Sequence, residues 1–120
     1  AIRTTEQVED TALARLSASP DLRVDPTQRW GNPRTLERHF AKHGADFDAR
    51  SPGEYARQAS QFYAKGLRER LPMKISRDGT SRIYDPASNT FGSYGPAGIA
   101  RTFFKPTGVT YWDRQPGAIQ

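Results

Sequence analysis

The hydrophobic period of this chain changes once, at Pro72, and that change constrains the fold more than any other feature. Before it, apolar residues recur every three or four positions, as on a helix face. After it they alternate every two, as on a half-buried strand.

Thr4 followed by Gln7 is a capping-box pattern, and Val8, Ala12, Leu13 and Leu16 make an apolar stripe at helical spacing. Ser17 to Pro20 ends that helix. Residues 20–32, with Pro20, Pro26, Trp30 and Gly31, read as an ordered loop or linker. Asn32-Pro33 predicts a second helix, with Asn as N-cap and Pro in the first helical position. It should run to His43 and stop at Gly44, a natural residue to follow a helix end. Ser51-Pro52-Gly53-Glu54 predicts a third helix, with Tyr55, Ala59, Phe62, Tyr63 and Leu67 on its buried face and its end between Arg68 and Leu71.

Past Pro72, Met73–Arg77 and Thr80–Tyr84 flank Asp78-Gly79, a two-residue hairpin signal. Asp85–Asn89 is a second turn, Thr90–Tyr94 a third strand and Gly95-Pro96-Ala97-Gly98 a third turn. Ile99–Lys105 is the fourth strand, Val109–Asp113 the fifth, and the tail from Arg114 reads as frayed. Helices followed by an antiparallel meander predict an α+β domain: N-terminal helices packed on a four- to five-stranded antiparallel sheet. The other sheet face, or the crevice between helix and sheet, is left for a ligand. The 120 residues fit one domain, with 1–31 as helix and linker, 32–70 as two helices, 71–113 as sheet and 114–120 as tail.

Only 35% of the residues are hydrophobic, so much of the interior must come from 6 Phe, 5 Tyr and 2 Trp. No apolar run is long enough to span a membrane, and the Ala-Ile-Arg-Thr-Thr-Glu start has no apolar stretch of a signal peptide. Cysteine is absent, which excludes disulfides and thiolate metal sites. The net charge of +5 is unevenly placed: residues 1–30 hold 4 basic and 5 acidic side chains, residues 31–120 hold 14 and 8. A basic body of this size suits a polyanion, and nucleic acid is the commonest one, although simple solubility gives the same sign.

The two histidines sit together in His39-Phe40-Ala41-Lys42-His43. On a helix, positions 39 and 43 are one turn apart on one face, with Lys42 at its edge. A histidine at a helix C-terminus beside a groove is placed for acid–base chemistry near neutral pH. It also suits capping of the last carbonyls. Two histidines at this spacing can share a zinc ion, but no third ligand is evident, and no cofactor is expected. His39 alone fits a hydrogen-bonded core histidine. The helix dipole raises the pKa of His43 and Lys42 lowers it, so sequence leaves the net sign open.

In Arg101-Thr102-Phe103-Phe104-Lys105, Thr102 and Phe104 share one strand face and Arg101, Phe103 and Lys105 the other. A hydroxyl beside an aromatic suits RNA, the hydroxyl bonding phosphate and the ring stacking a base. One of the two Phe rings belongs to the core, and sequence does not say which. A two-residue turn would pair Arg77 with Thr80, Ile75 with Arg82 and Met73 with Tyr84, placing Arg82 and Tyr84 on one face for phosphate and base. A one-residue bulge would rearrange this pairing.

These residues resemble a family. Lys42-His43-Gly44-Ala45-Asp46-Phe47 is similar to the Lys-His-Ala-Glu-Asp-Phe-Gly stretch of the colicin D nuclease domain, and Thr102-Phe103-Phe104 to that family's Ser-x-Trp. Across residues 33–113 the order His-x-x-x-His-Gly-x-x-Phe, Ser-Pro-x-Glu-Tyr, Asp-Gly, Tyr-Asp-Pro and Thr-Phe-Phe-Lys-Pro resembles C-terminal toxin domains of contact-dependent inhibition and Rhs-type systems. These belong to the barnase–EndoU–colicin–RelE fold group. The resemblance implies a secreted or carrier-delivered toxin that acts in the target-cell cytoplasm, cleaves tRNA without a metal, and is held inactive at home by an acidic immunity protein. It implies His43 as general acid/base, Lys42 as phosphate-side cation, Thr102 as hydroxyl and Phe104 as stacking ring, in a chain that is monomeric when free. The family carries a second lysine where this chain has Phe40, so Arg82, Arg101 or Lys105 would have to supply phosphate binding. The implied reaction is attack of the ribose 2′-OH on its own 3′ phosphate, with His39 or a water as second proton carrier. Two other classes compete: a non-catalytic RNA- or acidic-protein-binding domain, and an ADP-ribosyltransferase. The latter needs a late glutamate, and residues 71–120 contain none.

Overall fold

A computed structural model describes residues 29–108 and 110–120. The helix read at Thr4–Leu16, most of the linker, and Val109 lie outside the described residues. The described part is α+β: two helices packed against one five-stranded antiparallel sheet.

Helix α1 spans Pro33–His43. The Asn32 side chain accepts a hydrogen bond from the Arg34 N–H at 2.9 Å, satisfying one of the donors that a helix start leaves free. The helix ends at His43 with Gly44 as its C-cap, as expected, but not in the left-handed form common at such an end. Gly44 is right-handed helical (φ −59°) and opens a 3₁₀ turn over Gly44–Phe47, and the left-handed residue is Asp48 (φ 54°). Glycine is needed at 44 for space: a Cβ there would lie 2.7 Å from Cδ1 of Phe40.

Helix α2 spans Pro52–Glu69, and the Ser51 Oγ accepts from the Glu54 N–H at 3.1 Å. Its buried face is Tyr55, Ala56, Ala59, Phe62 and Gly66. Leu67, expected on that face, is 52% exposed. The stripe passes through Gly66 instead, because Ile83 of the sheet occupies the space a Cβ would need there, 2.9 Å away.

The strands are β1 (Met73–Ile75), β2 (Ser81–Asp85), β3 (Thr90–Tyr94), β4 (Ala100–Phe104) and β5 (Ala118–Ile119), in the order β4-β3-β2-β1-β5. The first hairpin does not close on two residues. Ser76 and Thr80 bracket a three-residue loop, with Ser76 N–H donating to the Thr80 carbonyl at 2.9 Å and Gly79 at φ +88°. Only Gly79 takes positive φ, whereas a type I′ turn needs it at two residues, so the three-residue bulged form results. Lys74 therefore stands opposite Arg82, and Met73 opposite Ile83. The one-residue slip moves Met73 to the helix side and Lys74 to the far side.

The expected fifth strand at Val109–Asp113 is also corrected. Trp112–Arg114 is a short 3₁₀ turn, and the fifth strand forms in the tail read as frayed, where Lys74 pairs with Ile119. The ammonium of Lys74 donates to the Trp112 and Gln115 carbonyls at 2.7 and 3.1 Å, so this segment satisfies carbonyls without a strand ladder.

The helix-side face of the sheet carries Ile83, Gly92, Tyr94, Ala100 and Phe103, which with Trp30, Leu36, Tyr55 and Phe62 build the core. The buried tyrosines keep their hydroxyls satisfied: Tyr94 donates to the Ala59 carbonyl at 2.7 Å and Tyr55 to that of Phe103. Phe103 is thus the core ring of the Phe-Phe pair. Ahead of α1, the Gly31 N–H donates to the Ala100 carbonyl at 3.1 Å and closes part of the β4 edge. Among the described residues, no helix is long and apolar enough to cross a membrane.

Candidate active site

The far face of the sheet is where the chemistry-bearing residues collect. Cross-strand pairing lines up Thr102, Ser93, Arg82 and Lys74 in one row, and Phe104, Phe91 and Tyr84 in the next. The two rows differ in character. The aromatic row is roofed: Tyr111 meets Phe91 and Phe104 edge-on at 5.0 and 5.4 Å, and Trp112 stacks on Tyr84 at 5.9 Å. In the polar row, the hydroxyls of Ser93 and Thr102 bond each other at 2.7 Å. Arg82, half-buried, holds its guanidinium by donating to Ser76 Oγ at 2.7 Å.

Helix α1 brings its last residue to the end of this face. The His43 imidazole stacks on Phe104 with centroids 5.1 Å apart and planes 28° apart. Helix α1 also contacts β4, so the two elements fix this meeting point from both sides. Among the described residues the His43 side chain makes no hydrogen bond, including to the helix-end carbonyls that a capping role would use. Partial burial and, next, the Lys42 ammonium hold its pKa below the ordinary histidine value, with Asp46 pulling weakly the other way. This fixes the sign that sequence left open: the neutral imidazole is favoured.

His39 lies one turn back, its ring 5.9 Å from that of His43 and 5.3 Å from Trp30. Its Nδ1 is buried and, among the described residues, has no hydrogen-bond partner. Burial, then the charges of His43, Arg38 and Lys42, depress its pKa. A hollow of about 530 Å³ beside α1 is lined, among the described residues, by Arg38, His39, Ala41, Lys42 and His43.

No family model matches the chain, and no curated protein sequence does.

Of the residues singled out in the sequence, the structure brings His43 and Phe104 into contact and sets Thr102, Arg82 and Tyr84 on the same sheet face. Lys42 is exposed on the lip of the α1 hollow. The remaining cations point elsewhere. Arg101 sits at a bulge opposite Ser93 and Tyr94 and donates to Thr80 Oγ1 at 2.8 Å, toward the first hairpin. Lys105 donates to the Ser88 carbonyl at 2.8 Å and lies over the Phe47 ring. Tyr84 is committed to Asn89 through its hydroxyl at 2.8 Å. Among the described residues, no three His, Asp or Glu side chains come close enough together to hold a metal ion.

Ser93 and Tyr111 were not singled out by sequence. Strand alternation does put Ser93 two residues from Phe91 and so on one face with it, but its partner Thr102 follows only from the β3–β4 register. Nothing local marks Tyr111, because its place depends on how the C-terminal segment crosses the sheet.

Proposed function

We propose that this chain is a metal-independent endoribonuclease toxin that cleaves RNA, with tRNA the substrate class implied by its resemblance to colicin D-like domains. The observation that carries this reading is the His43 imidazole stacked on Phe104, on the sheet face that also carries the Thr102–Ser93 hydroxyl pair and, two strands over, the half-buried Arg82. A base, a pair of hydroxyls and a cation on one face are what 2′-OH attack on an adjacent phosphate requires.

The phosphate lies over the Thr102–Ser93–Arg82 row. Neutral His43 takes the 2′-OH proton as O2′ attacks phosphorus, and the P–O5′ bond breaks. The products are a 2′,3′-cyclic phosphate and a 5′-OH, with the ribose itself as nucleophile. Arg82 stabilises the charge that gathers on the phosphorane oxygens, and Lys42 adds its charge from the helix side. Phe104, already stacked on the imidazole, offers its remaining exposed surface to a nucleobase. Delivery from a larger carrier, action in the target cytoplasm and an acidic immunity partner covering His43 belong to the same reading. They are supported by the basic charge of residues 31–120 and by the motif order.

The test is incubation of the chain with total tRNA with and without EDTA, followed by sequencing of the RNA ends. Cyclic-phosphate ends that persist in millimolar EDTA, and no cleavage of a strand carrying 2′-deoxyribose at the cut site, are expected. Binding without cleavage would replace this reading with a non-catalytic RNA-binding domain.

A further inference from the structure

The reaction needs a second proton carrier, because the leaving O5′ must be protonated as the P–O5′ bond breaks. On the assumption that the chain is the ribonuclease proposed above, we infer that the Tyr111 hydroxyl is this general acid.

Tyr111 belongs to the C-terminal segment that crosses the far sheet face. Its ring is held edge-on by Phe91 and Phe104, with planes at 81° and 80°, so it is fixed by two contacts. Phe104 is the shared neighbour: its ring carries His43 stacked on it and Tyr111 against it. The proposed base and acid therefore border the same aromatic side chain. The polar row Thr102–Ser93–Arg82 neighbours the aromatic row on the same face, two residues along the strands. A phosphate on that row would lie beside the aromatic row that carries both His43 and Tyr111.

The surroundings of the hydroxyl suit an acid. Partial burial raises its pKa, and the charges of Arg82 and Arg114 pull the other way without reversing the shift. The phenol is therefore protonated throughout the neutral range and holds the proton it must give. Once it has donated, the same two arginines face the new phenolate and stabilise it. The arginine that stabilises the phosphorane thus also stabilises the spent acid. His39, the other side chain considered beside a water, has its ring against Trp30. Its depressed pKa leaves it largely deprotonated at neutral pH, with no proton to give from the cationic form.

The proton ledger closes. O2′–H loses its proton to His43, P–O2′ forms, P–O5′ breaks and O5′ takes the Tyr111 proton. Imidazolium and phenolate then exchange the proton through solvent, and the enzyme returns to its starting state.

The test uses two RNA substrates: an ordinary one, and one in which the O5′ of the scissile phosphate is replaced by sulfur. A thiolate leaves without protonation, so it removes the need for an acid. Tyr111→Phe keeps the ring and its aromatic contacts, and thermal melting checks that it is folded. The variant should lose on the order of 10²-fold or more on ordinary RNA. It should return to within a few-fold of the unmodified protein on the sulfur substrate, with RNA affinity unchanged. A Tyr111→Phe that cleaves ordinary RNA at near-normal rate overturns the assignment. So does an equal loss on both substrates, which would mean that the hydroxyl only positions. An unmodified chain that cleaves neither substrate would instead sink the ribonuclease reading itself, and this inference with it.

Discussion

His43 stacks on Phe104 at 5.1 Å between centroids, joining the last residue of α1 to the last residue of β4. The contact ties the position of the imidazole to the sheet face that carries Thr102, Ser93 and Arg82, so the geometry of the proposed base depends on two elements distant in sequence.

Substituting His43 separates catalysis from capping. His43→Ala should lower the cleavage rate by on the order of 10²-fold or more if the imidazole carries the proton. Among the described residues the side chain bonds no carbonyl, so the melting temperature should fall only modestly, through the lost stacking on Phe104. Cleavage rate and thermal melting, measured on the same preparation, decide it. A variant that unfolds, or that cleaves normally, would count against the assignment.

The pH profile follows from the sign of the His43 shift. Burial and Lys42 lower its pKa, and the base must be neutral to act, so activity should rise with pH and level off. The midpoint of this acid limb should lie below the usual histidine value of about 6.5. Lys42→Gln removes a charge that lowers the pKa and should move the midpoint up; Asp46→Asn should move it down. An acid limb that stays put in both variants would show that His43 is not the titrating group.

The hydroxyl pair on the polar row is open to a nearly isosteric test. Thr102→Val removes one partner of the 2.7 Å bond and leaves the Ser93 hydroxyl without its neighbour. Because Ser93 is buried, the cost should be about 1–3 kcal/mol in urea unfolding, the penalty of a buried polar group left without a partner. The cleavage rate should fall further than this stability change explains, because a phosphate contact is lost as well. Equal rates for Thr102→Val and the unmodified chain would remove Thr102 from the site.

How much of this could be read in advance depended on whether a signal was local. The Asn32-Pro33 and Ser51-Pro52 starts, the change of period at Pro72 and the Thr90–Tyr94 strand are written in neighbouring residues, and each element stands where the sequence puts it. Gly44 marks the end of α1 as its place in the sequence indicates, but its small size serves the Phe40 ring and not a left-handed turn. The hairpin register slipped because Asp78-Gly79 is compatible with two loop lengths that differ by one residue. The choice between Phe103 and Phe104 was open because both ring positions alternate correctly, and only the packing of Phe103 on Phe47, Tyr55 and Phe62 separates them. Tyr111 and the β5 pairing were illegible: both depend on Lys74, some forty residues earlier, holding the C-terminal carbonyls.

That dependence makes Lys74 the most informative residue outside the proposed machinery. Its side chain is buried, yet its ammonium is satisfied by the Trp112 and Gln115 carbonyls at 2.7 and 3.1 Å and lies 4.5 Å from the Trp112 ring centre. Lys74→Met keeps the length of the stem and removes the charge, so both carbonyls lose a charge-assisted donor. Such bonds contribute about 1.5–3 kcal/mol, and a loss of that size should appear as a lower urea midpoint. The effect should extend to activity. The segment anchored by Lys74 carries Trp112 over Tyr84 and Tyr111 over Phe91 and Phe104, so loosening it unroofs the aromatic row beside the phosphate position. Cleavage should fall even at temperatures where the variant is fully folded, while the His43-dependent acid limb keeps its midpoint, since Lys74 is not among the charges that shift it. Unchanged stability would mean that water replaces the ammonium at no cost. Lost stability with full activity would mean that the C-terminal segment covers the sheet without taking part in the chemistry.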